Sequence, residues 1–202
     1  MPTLSTDLLS AHRAAILASV DVVNTIDSDD LPRPTPCAGW DLADLLAHMT
    51  VQHRGFAAAA RGGGQDLALW DPASVRDTQD PVGEYASAAH DVLDAFAAAD
   101  PESQFVLPEL GTSVPAGMAI GFHLIDYAVH GWDVAASLSI AFTLPDDVVT
   151  AALPLALAVP DGDFRSMAGA PFGPAHTGDS TTDFDRLLRH LGRDPRWSAL
   201  AE

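Results

Sequence analysis

The sequence predicts an all-α protein, a four-helix bundle with a short C-terminal helical appendage. Apolar residues recur at helical spacing in four long segments, and Pro, Gly and Asp separate these segments. No long alternation of β-branched residues indicates a strand. The 202 residues can bury a core of their own. We expect the bundle to occupy residues 1–142 and the appendage, packed on it, to occupy residues 143–202.

The first two predicted helices flank a proline-rich loop. Helix one covers about residues 7–26, where apolar side chains recur every three or four positions. Three prolines in residues 28–39 exclude a helix and favour an extended path. Helix two follows Asp41, which is a suitable N-cap with Asp44 three residues later. It is expected to end at the three glycines of residues 62–64.

The second pair of helices is separated from the first by a predicted loop over residues 62–80. Asp80 and Pro81 open helix three, since proline is favoured at the first helical position. Helix four is expected to run from about Pro115 to Leu138. Together the four helices predict the bundle.

The appendage is predicted to contain two short helices around a loop. Pro145 opens the first of these helices, and Pro154 is expected to end or kink it. Residues 160–180 are rich in Gly, Pro and Asp, and we expect a loop with a short extended segment. Thr182 can cap the last helix, and Gly192 stands where a C-terminal cap is expected.

The composition excludes several classes of partner. The formal net charge is −18, and all ten basic residues are arginine. Such a chain repels phosphate backbones and anionic lipids, so we expect no nucleic acid or membrane partner. The single cysteine, Cys37, excludes an internal disulfide bond. Without a signal sequence or a membrane-spanning apolar stretch, the predicted location is the cytoplasm.

Helix four carries the sharpest chemical pattern in the chain. Asp126 and His130 lie one turn apart on one face, so a carboxylate and an imidazole can converge on one point. A solvated ion pair is the alternative. His123 lies one turn earlier, and a third ligand would have to come from helix two, from His48 or His53. These two histidines lie about 140° apart around the helix, so we do not expect both to bind one ion.

Other reactive residues have two interpretations each. His53 and His123 could line a pocket or support the ligands, or they could be solvated or packed in the core. Cys37 lies near a helix N-terminus but has no predicted base, so a structural role is favoured over a nucleophile. Asp133 could lie on the helix surface or fix local geometry by hydrogen bonding. Trp40 is expected to pack helix ends together.

Three segments resemble the mycothiol-dependent maleylpyruvate isomerase-like family of the DinB-like metal-binding superfamily. The first segment is TPCAGWDL at residues 35–42, followed by DLLAH at residues 44–48. The second is DYAVHGWDVA at residues 126–135, and the third lies in residues 185–197. Because the segments occur in the family's order along nearly the whole chain, the resemblance is more specific than any single motif.

The resemblance implies a DinB-like four-helix bundle with one divalent ion held by His48, Asp126 and His130. Zinc suits these ligands, and nickel, iron and manganese are compatible with them. The reacting group would be a metal-bound thiol or water. The isomerase itself has glutamate where this chain has Asp126. It also has a second, C-terminal domain, which this chain is not expected to contain.

The favoured hypothesis is a metal-dependent enzyme that uses a low-molecular-weight thiol, with mycothiol as cosubstrate. It would transfer the thiol to a small electrophile or isomerise that electrophile. The alternative is a non-catalytic protein that binds a metal or a small ligand on the same bundle. A third possibility is an inactive scaffold that pairs through its apolar faces. A homodimer is compatible with each hypothesis.

Overall fold

The computed structural model describes residues 6–167 and 170–199, and this part of the chain is mostly helical. The predicted all-α class is therefore confirmed. The α-helices are α1 (Thr6–Val23), α2 (Leu42–Ala60), α3 (Pro81–Ala98), α4 (Ala116–Leu138), α5 (Asp146–Leu157) and α6 (Asp183–His190). None of the helices in the described residues is long and apolar enough to cross a membrane.

The four long helices pack against one another around two apolar clusters. The main pairs are α1 with α4 and α2 with α3, and α2 also contacts α4. Helix α5 contacts α1, α4 and α6, which brings the C-terminal part of the chain onto the long helices. Most of α4 is buried. The finer prediction of a bundle with a domain boundary at residue 142 stays a prediction.

Predicted capping residues begin three of the helices. The Asp41 side chain accepts a hydrogen bond from the Asp44 backbone N–H, and the Asp44 carboxylate accepts one from the Asp41 N–H. Thr182 forms the same reciprocal arrangement at the start of α6. Asp80 caps α3, where Pro81 occupies the first helical position. The start of α2 is thus fixed, and with it the direction in which its histidines point.

A small β-hairpin before α4 was not expected from the sequence. Strand β1 (Gln104–Leu107) pairs antiparallel with β2 (Thr112–Pro115). Each strand has only four residues, too few to show a clear alternation. Gly111 in the connection has φ +62°, a left-handed conformation that favours glycine.

Pro154 does not end its helix, which was one of the two outcomes expected of it. It lies inside α5, and the helix continues to Leu157, while the expected kink stays a prediction. Because Pro154 is exposed, water can bind the carbonyl that its missing N–H leaves free. The described part of residues 160–180 contains no strand, and a 3-10 turn forms at Asp163–Ser166.

Candidate metal centre

Three side chains from two helices converge where α2 faces α4. His48 comes from the second turn of α2, and Asp126 and His130 come from α4. Their ligand atoms all lie within 4.8 Å of one another. His130 Nε2 is 3.4 Å from Asp126 Oδ1, and the rings of His48 and His130 meet edge to face at 5.2 Å. The structure thus brings together the three residues that the family resemblance singled out.

The geometry fits a divalent ion. Two ligand atoms at about 2.1 Å from a tetrahedral ion lie about 3.4 Å apart, which equals the Asp126–His130 separation. His48 and Asp126 are half-buried, so the site is not sealed from solvent. Two nitrogens and one carboxylate oxygen also match the usual donor set of a catalytic zinc site, which leaves a coordination position for another ligand.

A buried carboxylate orients the His130 ring. Asp133 is fully buried, and its Oδ2 lies 2.9 Å from His130 Nδ1. We assign a proton to Nδ1 from this contact. Nε2, which faces Asp126, is then the nitrogen that can exchange its proton for a metal ion. A carboxylate behind a ligating histidine commonly fixes the ring in this way. The hydrogen-bonding interpretation of Asp133 is therefore confirmed, and the helix-surface interpretation was wrong.

Arg193 completes this arrangement, although the sequence pattern did not single it out. Its Nε donates to Asp133 Oδ1 and its Nη2 donates to Asp133 Oδ2, both at 2.9 Å. Nη2 also lies 3.2 Å from Cys37 Sγ. The spacing of the residues after the last helix does not indicate that this arginine is buried. The available signals were the predicted helix end at Gly192, which has φ +78°, and the family-like segment at residues 185–197, which contains Arg193.

The charges of the site depend on mutual pairing. Burial lowers the pKa of His48 to about 4, aided by the nearby charge of His130, so His48 is neutral at pH 7 with a lone pair available. Burial would lower the pKa of His130, but Asp126 and Asp133 outweigh it and raise the value well above normal. Burial would raise the pKa of Asp126, but His130 outweighs it and keeps this carboxylate ionised.

A second group of potential ligands is less suited to a metal ion. Cys37, His130 and Asp133 also offer atoms within 4.8 Å of one another. The guanidinium of Arg193 already contacts both Cys37 Sγ and Asp133. A metal cation there would have to approach this fixed positive charge. The group formed by His48, Asp126 and His130 is therefore the favoured centre.

The other two candidate histidines join a buried cluster with His12. His123 Nδ1 lies 2.9 Å from His12 Nε2, and His123 Nε2 lies 3.3 Å from His53 Nδ1. The rings of His53 and His123 both stack on Tyr127. Burial lowers all three histidine pKa values, that of His12 to about 3. The structure thus places His53 and His123 in the core, and their support of the ion site stays a prediction.

An open pocket lies beside His48. It has a volume of about 370 Å³ and is lined by Trp40, Asp44, Ala47, His48, Pro72, Ala73 and Arg76. The ring of Trp40 is 5.0 Å from that of His48, and this tryptophan remains 37% exposed. The tryptophan expected to pack helix ends therefore forms part of the wall next to a candidate ligand.

The candidate ligands lie in a part of the chain that matches a known protein family. The family model described as the mycothiol maleylpyruvate isomerase N-terminal domain matches residues 12–135. The match contains His48, Asp126 and His130, whereas Arg193 lies outside it. Two uncharacterized proteins of Mycobacterium tuberculosis, MT0763 and Rv0738, are each 30% identical to this chain over 195 residues. Those alignments cover 94% of this chain and 100% of each relative.

Two crystal structures share the fold. That of the mycothiol-dependent maleylpyruvate isomerase has a TM-score of 0.56 at 14% identity, and a histidine-to-alanine mutant of it has 0.59 at 12%. Both alignments cover 72% of this chain and 66% of the isomerase chain. The chain therefore spans slightly less than two thirds of that protein's length.

Proposed function

Because this chain belongs to the mycothiol maleylpyruvate isomerase N-terminal domain family, we propose that it is a divalent-metal enzyme that activates a low-molecular-weight thiol. Mycothiol is the proposed cosubstrate, and the reaction is isomerisation of a small electrophile or transfer of the thiol to it. The observation that carries the proposal is the convergence of His48, Asp126 and His130 within 4.8 Å.

Each ligand residue has a defined task in this proposal. His48 offers a neutral ring nitrogen, Asp126 a carboxylate charge, and His130 the Nε2 that Asp133 directs from behind. When bound, a divalent ion lowers the pKa of a coordinated thiol and favours its thiolate near neutral pH. Zinc suits this donor set, and nickel, iron or manganese could replace it.

The pocket beside His48 gives the cosubstrate a place next to one of the three proposed ligands. Its Trp40 side offers an aromatic face next to the metal centre. On another wall, Arg76 is held by Asp41 at 2.9 Å and by Asp44 at 2.6 Å. The two carboxylates neutralise Arg76, so this wall carries no excess positive charge. Such a wall suits a neutral part of the cosubstrate better than an anionic one.

A non-catalytic binding protein is the second candidate function. The charged side chains of the pocket, Asp44 and Arg76, pair with each other, so neither is free to move a proton. In that case the metal and the pocket would retain a small ligand without changing it.

Metal analysis tests the metal site itself. Protein purified without a nickel column is expected to hold one divalent ion per chain, and H48A and H130A are expected to lose most of it. H90A is the matched control because His90 is an exposed histidine on α3. Equal metal content in all four proteins would contradict the proposal.

A thiol titration separates the two candidate functions. The cobalt-substituted protein is titrated with mycothiol while its visible absorption is followed. The enzyme proposal predicts new bands from sulfur coordination, with saturation at one thiol per ion. An unchanged spectrum favours the non-catalytic binding protein.

A further inference from the structure

We propose that Arg193 is a positioning residue for the metal centre. It holds Asp133, Asp133 holds the ring of His130, and the ring then presents Nε2 to the ion. The inference rests on the proposed metal site. The turn after α6 would thus help to build that site, although it lies outside the residues that the family model matches.

Three short contacts connect the guanidinium to the ligand. Arg193 uses both Nε and Nη2 on the Asp133 carboxylate, each at 2.9 Å, and this bidentate pairing fixes the carboxylate plane. The same Oδ2 that receives Nη2 also lies 2.9 Å from His130 Nδ1. Asp133 is fully buried and Arg193 only 7% exposed, so little water competes for these bonds.

The backbone after α6 directs this arginine inward. The Arg193 N–H donates to the Leu188 carbonyl, and Gly192 adopts its positive φ against the backbone of Gly173. A Cβ on Gly192 would approach the Gly173 backbone within 3.0 Å, so glycine is required for this turn. The neighbouring Arg196 instead pairs at the surface with Asp194.

Loss of the guanidinium removes two of the hydrogen bonds that hold the Asp133 carboxylate and leaves those of His130 Nδ1 and Cys37 Sγ, both to Oδ2. The carboxylate is then less firmly held, and so is the direction in which the His130 ring presents Nε2. Removal of a group behind a metal ligand commonly weakens metal binding by about 10- to 100-fold. Arg193 acts one contact further out, through Asp133, so we expect a loss at the lower end of this range, about tenfold, for R193Q. R193K should lie between R193Q and the wild type because an ammonium group cannot pair in the same two-pronged geometry.

The test is a zinc affinity measurement by chelator competition, with R196Q as the matched control from the same segment. Melting of each metal-free variant checks that it folds. R196Q is expected to keep the wild-type affinity. The cobalt spectrum of R193Q is expected to differ from that of the wild type, which a change in stability alone would not produce. If R193Q does not fold, the zinc affinity of R193K tests the inference in its place, and it is expected to be lower than that of the wild type.

The outcomes separate the inference from the proposed function. Wild-type affinity in a folded R193Q, or in R193K where R193Q does not fold, overturns the inference and leaves the metal site intact. A wild type that binds no divalent ion overturns both. Nitrogen-15 NMR of the zinc-loaded wild type tests the orientation of the His130 ring without any substitution. The spectrum is expected to show a proton on Nδ1 of His130. Zinc bound through Nδ1 would overturn the inference.

Discussion

His130 uses its two ring nitrogens for different purposes. Nδ1 binds a buried carboxylate, whereas Nε2 faces Asp126 and the ring of His48. A histidine on a helix becomes a good ligand only when its ring is held in this way, because a free ring rotates and exposes either nitrogen. The carboxylate of Asp133 is thus part of the proposed site, although it would not touch the ion.

The charge of Asp126 is expected to matter more than its shape. D126N keeps the side-chain size but removes the anion, and we expect at least a tenfold loss in zinc affinity, about 1.4 kcal/mol. D126E retains a carboxylate and is expected to bind zinc more tightly than D126N. The measurement is chelator competition on both variants, and a D126N affinity equal to that of the wild type would contradict the ligand assignment.

The buried histidine cluster predicts a loss of stability in acid. The pKa of His12 is about 3 in the folded chain, against 6.5 when the side chain is free in solution. Between these values the unfolded chain binds a proton that the folded chain excludes. The stability present above pH 6.5 is therefore lost as the pH falls toward 3, with a slope of up to about 1.4 kcal/mol per pH unit from this residue.

Urea unfolding of the metal-free protein between pH 4.5 and 7 measures this slope. H12Q is the control because glutamine can still hydrogen-bond to His123 but does not titrate. We expect a shallower slope in H12Q than in the wild type. If the unfolding free energy changes with pH equally in H12Q and the wild type, the fold does not keep His12 neutral.

At the level of the elements, α4 determines most of the site. Its helical spacing was sufficient to predict that Asp126 and His130 converge, and the capping residues were sufficient to predict where α2 begins. Spacing could not predict which neighbours His53 and His123 meet, because this depends on how α1, α2 and α4 pack. The contact of Arg193 with Asp133 spans 60 positions, and no local pattern encodes it.

The packing of α2 against its following loop can be tested at a glycine. A Cβ on Gly55 would lie 2.3 Å from the ring of Trp70, which is buried and donates a hydrogen bond to the Gly64 carbonyl. Alanine favours a helix over glycine by about 1 kcal/mol, but overpacking costs about 1–3 kcal/mol. We therefore expect G55A to destabilise the fold by about 1 kcal/mol, because the steric cost prevails.

Thermal melting compares G55A with G63A. A Cβ on Gly63 would meet its nearest atom at 3.6 Å, an ordinary contact, so G63A is expected to change stability by less than about 0.5 kcal/mol. If G55A melts at or above the wild-type temperature, the Trp70 ring does not pack as closely on Gly55 as the structure has it.

For the whole molecule, the charge of −18 is dispersed and does not itself form the site. Many aspartates cap helices or pair with arginines, as Asp41 and Asp44 do with Arg76. The net charge argues against polyanionic partners, which stays a prediction, and the composition could not locate a cation site. That location required two helices to be brought together.

Metal binding is expected to stabilise the whole fold. A ligand that binds only the folded state adds about 2.7 kcal/mol to the free energy of unfolding at 100 times its dissociation constant. We expect zinc to raise the unfolding free energy of the wild type by this amount and to leave H130A unchanged in urea titrations. Equal stabilisation of both proteins would place the ion elsewhere.

We propose that one divalent ion binds between α2 and α4, and anomalous diffraction at the zinc edge can locate it. The crystals are grown from protein purified without a nickel column and supplied with zinc. We expect one strong peak about 2.0–2.2 Å from the ligand atoms of His48, Asp126 and His130. No peak there, or a peak at Cys37 and Asp133 instead, would contradict it.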